Sequence, residues 1–144
     1  MRLILPALGL TALTVIIHGV GTVTAAGRIA GKLNEGRPTR LRTELLMAQL
    51  VGTLLLLHLA EAVVWALFFQ LVGALPDLES AAYFSLTSYT TVGYGDVVVA
   101  KPWRMLGPLE AAVGVLMLGW STGVLVAAIG RVYRQLFPPL GARF

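Results

Sequence analysis

Three long apolar stretches, separated by more polar segments, dominate the pattern of the sequence. They cover residues 3–26, 45–75 and 106–129. Each is longer than the about 20 residues that a helix needs to cross the hydrocarbon core of a bilayer. The pattern therefore predicts three transmembrane helices.

The segment between the second and third stretches differs from them in kind. It predicts a short helix over residues 78–89 with Asp77 as the N-cap, followed by a glycine-containing turn over 91–96. At about 18 Å this helix cannot span a bilayer. A half-length helix followed by irregular backbone is tolerated at membrane depth only where protein or a watery cavity surrounds it. We therefore predict a re-entrant loop.

Composition narrows the class of protein further. Of the 144 residues, 57% are hydrophobic and 12% are charged, whereas soluble domains carry about 25% charged residues. This excludes a water-soluble globule and a disordered chain, and the length suits one domain. The absence of cysteine excludes disulfides, thiolate metal sites and a cysteine nucleophile. The eleven basic residues are too scattered to predict nucleic-acid binding.

The basic residues predict an orientation. Five Lys or Arg lie in residues 27–44, and further basic residues follow the third stretch, namely Arg131, Arg134 and Arg143. By the positive-inside rule the 27–44 segment and the C-terminus are cytoplasmic, so the N-terminus and the re-entrant loop face outward from the cell membrane. A cleaved signal peptide is the alternative for the first stretch, which is longer than a signal's apolar region.

Residues 90–96, TTVGYGD, form the most specific motif in the chain. They resemble the selectivity filter of the potassium channel pore-domain family, and they follow a half-helix between two spans, as in that family. The resemblance covers about residues 45–134. It implies an all-α integral membrane protein with the following parts: an N-terminal helix 1–26, a basic cytoplasmic loop 27–44, an outer helix 45–75, a pore helix 78–89, a filter 91–96, an inner helix 106–134 and a cytoplasmic tail 135–144.

The glycines of the motif have a physical reason. A cation gives up its water only where oxygens replace it, and rings of backbone carbonyls do so. Successive carbonyls face one axis when the backbone alternates between ordinary and left-handed conformations. Gly93 and Gly95 adopt the left-handed conformation at low cost. One strand offers a single carbonyl at each level, so we expect a homotetramer. The resemblance assigns K⁺ binding to Thr91, Val92, Gly93, Tyr94 and Gly95.

The resemblance also assigns supporting positions around the filter. Asp96 caps the outer mouth, and Thr90 and Thr87 support the filter from the pore helix. Some members of the family carry a carboxylate at the position of Thr87 that bonds this aspartate, so we expect Asp96 to lack that strut. Tyr83 and Phe84 lie where the family often has an aromatic cuff, although generic apolar packing has the same pattern.

Three residues of the third stretch are candidates for a cavity and a hinge. Gly119 holds the position of the family's gating hinge, and helix packing explains a glycine there equally well. Ser121 and Thr122 are expected to provide a hydroxyl that lines the cavity.

Ionisable residues inside the predicted spans are costly and generally face protein or water. His58 and Glu61 lie one turn apart on one face of the second span. One hypothesis is a proton-sensitive contact with the pore helix, the inner helix or His18, and the other is an interhelical hydrogen bond that orders the assembly. Glu110 either supports the filter from behind or lies near the outer interface.

The sequence thus predicts a tetrameric channel in the lipid bilayer that conducts K⁺ passively, with K⁺ as the permeant ion and no cofactor. No basic residue lies between Arg2 and Arg28, so the first span is not expected to sense voltage. The tail is too short for a folded regulatory domain, which leaves a separate regulatory subunit open. Alternatives are a weakly selective cation channel or a non-conducting accessory subunit. A pseudo-fourfold uptake system is disfavoured because it carries four pore repeats on one chain and only one appears here. A membrane enzyme is disfavoured because no nucleophile–base set is recognisable.

Overall fold

The computed structural model describes residues 3–34 and 39–136, with side-chain surroundings up to residue 134. These residues form four helices and no strand. The helices are α1 (Ile4–Asn34), α2 (Arg40–Leu71), α3 (Leu78–Tyr89) and α4 (Leu106–Leu136). Three of them, α1, α2 and α4, are long and apolar enough to cross a membrane. Residues 35–38 and most of the expected tail, 137–144, lie outside the described residues.

The segment expected as a basic loop, 27–44, is largely helical. Residues 27–34 continue α1, and α2 begins at Arg40, where the N-cap residue Thr39 accepts a hydrogen bond from the Arg42 amide at 3.3 Å. Apolar side chains continue at helical spacing among the basic residues, and Ile29 and Leu33 are buried. The boundary expected from hydropathy was therefore wrong, because the helices extend beyond their most apolar part.

Local signals set the ends of α2 and α3. The backbone turns left-handed at Gly73 (φ 66°), and the amides of Gly73 and Ala74 bond the carbonyls of Gln70 and Phe69. This is a Schellman end, which satisfies carbonyls that the helix leaves unpaired. As predicted, Asp77 caps α3, since its carboxylate accepts from the Ser80 amide at 2.7 Å.

The core has two apolar clusters at opposite ends of the bundle. One, around Trp65, Phe69 and Phe84, joins α2, α3, α4 and the beginning of α1. The other, around Ile29 and Leu50, joins the end of α1 to α2 and to the second half of α4. The beginning of α1 therefore lies at the same end of the bundle as α3.

The helix α1 packs on α2 and on α4, while α3 packs on α2 and α4. Within the described residues, α1 and α3 make no direct backbone-level contact. Any link between the first span and the short helix must therefore pass through side chains.

Candidate functional site

The backbone after α3 alternates in handedness. The φ angle is 64° at Thr91, 52° at Gly93 and 80° at Gly95. A Cβ added at Gly93 or Gly95 would meet nothing within 4 Å, so conformation rather than space requires glycine there. The left-handed threonine was not predicted from the sequence, and this conformation costs a non-glycine residue roughly 1–2 kcal/mol.

Hydrogen bonds to the end of α3 fix the beginning of this strand. The Thr91 amide donates to the Ser88 carbonyl at 2.9 Å, and the Gly93 amide donates to the Thr87 carbonyl at 3.0 Å. The Thr90 hydroxyl donates to the Leu86 carbonyl at 2.6 Å. Thr87 thus contacts the strand through its main chain, while its hydroxyl turns back to the helix.

The carbonyls of this strand are available to a ligand. In the part of the chain that the structure describes, no backbone amide donates to the carbonyls of Thr91, Val92, Gly93 or Tyr94. The side chains of Val92 and Tyr94 are 52% and 72% exposed. A row of carbonyl oxygens with no internal donors is the kind of ligand that replaces the water of a cation.

Asp96 has a partner on α3 that the sequence did not predict. The Tyr83 hydroxyl donates to Asp96 Oδ2 at 2.8 Å, and the Val97 amide donates to Oδ1 at 3.0 Å. The hydrogen bond from Tyr83 holds the pKa of Asp96 below its usual value. Thr87 supplies no bond to Asp96, as expected, because its hydroxyl donates to the Phe84 carbonyl at 3.0 Å, and Tyr83, one turn earlier, supplies a different bond that was not predicted. Phe84, by contrast, is buried against Phe69, with ring centroids 5.2 Å apart.

The helix α4 approaches the end of α3 closely. A Cβ added at Gly114 would overlap the Tyr89 carbonyl oxygen, so this contact brings backbone against backbone. One turn earlier, Glu110 is fully buried and faces Ser85 of α3. Among the described residues, neither its carboxyl group nor the Ser85 hydroxyl has a hydrogen-bond partner. Glu110 therefore lies behind α3 and not at the outer interface.

Five polar side chains from all four helices form a closed ring below the end of α3. Glu61 accepts from the Tyr89 hydroxyl and bonds His18 Nδ1 at 2.9 Å. His58 bonds the Tyr89 hydroxyl through Nδ1 at 3.1 Å and the Ser121 hydroxyl through Nε2 at 3.0 Å. The Ser121 hydroxyl also contacts His18 Nε2 at 3.3 Å, which closes the ring. We call these residues the polar ring.

The polar ring brings together residues that the sequence suggested separately. Contacts of His58 and Glu61 with His18, the short helix and α4 were all predicted as options, and all of them form. The role of Tyr89 as a member of the polar ring was not predicted. A tyrosine that ends a membrane half-helix close to buried carboxylates was the available signal.

Three of the ring side chains have the composition of a metal site. Ligand atoms of His18, His58 and Glu61 lie within 4.8 Å of one another, and two imidazoles with a carboxylate are a donor set that zinc accepts. Each of these groups is already engaged in the hydrogen bonds of the ring. A metal ion would therefore have to replace the protons of those bonds.

Of the two residues expected to provide a cavity hydroxyl, Ser121 is buried within a single chain. It is 5% exposed and belongs to the polar ring. Thr122 is exposed, and its hydroxyl donates to the Leu118 carbonyl at 2.9 Å. A Cβ added at Gly119 would meet nothing within 4 Å, and α4 continues unbroken through this position. The hinge role of Gly119 stays a prediction.

Comparisons with known proteins agree with this architecture. The sequence model of a family described as ion channel matches residues 53–131, more than half of the chain. The chain is also 37% identical over 60 residues to the potassium voltage-gated channel protein shk-1 of Caenorhabditis elegans, a stretch that covers 41% of this chain and 11% of the worm protein. No solved structure matches the chain.

The chain therefore belongs to the ion channel family. It is a multi-pass membrane protein, and the residues that the structure describes are helical with no strand and include three candidate spans. The family also places it among transport proteins and not among enzymes.

Proposed function

We propose that four copies of this chain assemble around residues 91–96 into a K⁺-selective channel that conducts passively. The observation that carries this proposal is the strand after α3, left-handed at every second residue, with carbonyls that have no internal donor. Each chain supplies one carbonyl at each level, which is too few to replace the water around a cation. Four chains around an axis supply four.

Exposure along the proposed pore supports the assembly. The side chains of Val92 and Tyr94 are exposed in a single chain, as are large apolar side chains on the middle of α4, such as Leu116 and Val126. Neighbouring copies and lipid would cover these surfaces. The C-terminal end of α3 carries the negative end of the helix dipole, which favours a cation in the cavity below the filter.

Potassium is the ion that the motif favours. The worm relative is a potassium channel by its name, and the TTVGYGD motif falls inside the stretch that matches the ion channel family. Ions would occupy sites formed by the carbonyls of Thr91, Val92, Gly93 and Tyr94 and move by knock-on between adjacent sites.

The basic end of the bundle is proposed to face the cytoplasm. Its basic side chains lie at the end opposite the filter, and they include Arg28, Lys32, Arg40, Arg42, Arg131 and Arg134. Contacts at this end join the helices, since Arg131 donates to Asn34 at 2.8 Å and Lys32 to Gln49 at 3.3 Å. By the positive-inside rule the filter then opens toward the outside.

Ion flux from liposomes tests the function. With the purified chain, vesicles loaded with K⁺ should lose their ion much faster than matched vesicles loaded with Na⁺, and barium should block the K⁺ release. Gly93→Ala forces alanine into a left-handed conformation at about 1–2 kcal/mol in every copy, so the K⁺ flux should fall by at least about tenfold. Gly52→Ala is the matched control, because a Cβ there meets nothing within 4 Å in an ordinary helix.

Each other outcome contradicts a defined part of the proposal. Equal K⁺ and Na⁺ flux would indicate a weakly selective cation channel, and no flux from a well-folded assembly would indicate an accessory subunit. A mass of one or two chains in mild detergent would exclude the tetramer.

A further inference from the structure

The hydrogen bonds of the polar ring can be counted against the protons available to them. The ring has five hydrogen bonds, and each requires one proton. The hydroxyls of Tyr89 and Ser121 supply one proton each, a neutral imidazole supplies one, and an ionised carboxylate supplies none. With Glu61 ionised and both histidines neutral, the ring holds four protons for five bonds. At one of the five contacts, two lone pairs then face each other with no hydrogen between them.

One further proton completes the ring, and several placements achieve this. If Glu61 carries it, the bonds run in one direction from Glu61 through His18, Ser121, His58 and Tyr89 back to Glu61. If His18 or His58 carries it, that imidazolium faces an ionised Glu61. In every case all five bonds are satisfied and the ring has no net charge.

The burial of these side chains also favours a ring with five protons. The side chains of His18 and Glu61 are 0% exposed, and that of His58 is 12% exposed. A ring with four protons would carry one net negative charge and one missing hydrogen bond in this setting. Both defects are costly in a buried site, and the fifth proton removes both.

The polar ring also connects α1 to α3 by hydrogen bonds. These helices make no direct backbone-level contact in the described residues, and hydrogen bonds join His18 to Tyr89 through Glu61 on one side and through Ser121 and His58 on the other. Tyr89 is the last residue of α3, directly before the strand of carbonyls.

We propose that the polar ring is a proton-binding site that holds one proton beyond ionised Glu61 and two neutral histidines, and that this proton fastens α1 to the base of the filter. The groups that face it are His18 from α1, His58 and Glu61 from α2, Tyr89 from α3, and Ser121 from α4, with Glu110 of α4 behind α3. Because the extra proton belongs to the ring as a whole, the five side chains bind and release it as one coupled group. The inference goes beyond ion conduction and assigns a role to the first span.

Nuclear magnetic resonance of the intact chain in bilayers tests the proton count directly. The chain has only two histidines, so ¹⁵N-histidine labelling gives two imidazole spectra, and ¹³C-glutamate labelling reports the carboxyl state. Glu61 is assigned through its proximity to His18 Nδ1. At neutral pH the two imidazoles and the Glu61 carboxyl should together carry three protons, falling to two when the pH is raised. A total of two in the intact assembly at neutral pH would overturn the proposal.

Hydrogen exchange tests the link between α1 and the filter. After correction for the intrinsic rate, amides of α1 near His18 should lose protection by at least about tenfold as the third proton is released. Tyr89→Phe removes the hydroxyl that joins both branches to α3, so this pH step should disappear. Thr14→Val is the matched control, because it removes the buried bond from Trp65 to Thr14 at 3.0 Å and leaves the ring intact.

Two outcomes would refute either the link between α1 and α3 or the proton as the ligand of the ring. A pH step of equal size in Tyr89→Phe would show that the ring does not carry it. If one equivalent of zinc chloride shifted both imidazole spectra at neutral pH, the cluster would be a metal site and the proton assignment would be wrong. Because both readouts are independent of ion flux, failure here leaves the proposed channel untouched, and a failed flux test leaves the ring unaffected.

Discussion

The carbonyl strand at 91–96 and the polar ring meet at Tyr89, the last residue of α3, but they act by opposite means. The strand acts through its main chain, and its side chains Val92 and Tyr94 are largely exposed. The ring acts through side chains, of which His18 and Glu61 are fully buried. A function carried by the backbone is encoded by a short local motif, whereas one carried by side chains from four helices is encoded only by the fold.

The largest expected effect on stability comes from removing a side chain of the polar ring. Glu61→Ala removes one partner of two ring bonds, so the free energy of unfolding should fall by about 3–5 kcal/mol, as for a broken buried pair. Thermal unfolding in detergent would show the loss as a lower midpoint. Glu44→Ala is the control, since its pair with Arg40 is exposed and contributes less than about 1 kcal/mol. Comparable losses from Gly95→Ala would break the contrast, because the strand should affect conduction more than stability.

The second prediction concerns the backbone contact that lies between the two regions. Gly114→Ala places a Cβ against the Tyr89 carbonyl, so stability should fall by about 1–3 kcal/mol or more through overpacking. Gly119→Ala, where a Cβ meets no atom within 4 Å, should leave the unfolding midpoint unchanged. Equal effects in the two variants would mean that α4 moves away from α3 at no cost.

The smallest expected effect concerns the outer mouth. Tyr83→Phe removes the hydrogen bond to Asp96, so the pKa of this carboxyl should rise toward its ordinary value. A pKa depressed by folding stabilises the folded chain above the ordinary value, and this contribution is lost as the pH falls through the depressed value. The variant should therefore lose less stability on acidification than the wild type. Carboxyl resonances of Asp96 and Asp77 would measure this, with Asp77 unchanged as the internal standard.

Local patterns predicted much of the fold, and the rest depends on relations between helices. The three spans, the short helix with its Asp77 cap, and the glycines at 93 and 95 follow from length, capping and backbone conformation. The extent of α1 was missed because hydropathy ends before the helix does. Whether Ser121 faces a cavity or the polar ring depends on the rotation of α4 relative to α1 and α2. The sequence pattern does not contain that angle.

The bond from Tyr83 to Asp96 was missed for a similar reason. It joins residues thirteen positions apart, and only the path of the returning strand brings them together. The left-handed threonine at 91 was also missed, because composition gives no signal for strain at a residue with a side chain.

The contact at Gly114 divides α4 into two segments that are packed differently. Before it, Gly107 and Gly114 press against Phe84 and the Tyr89 carbonyl, so the helix has no room to shift toward α3. After it, a Cβ at Gly119 or Gly123 would meet nothing within 4 Å. The segment before Gly114 is therefore held against α3 by backbone contact, whereas the segment after it is held to α1 and α2 through Ser121 and the apolar cluster around Ile29 and Leu50.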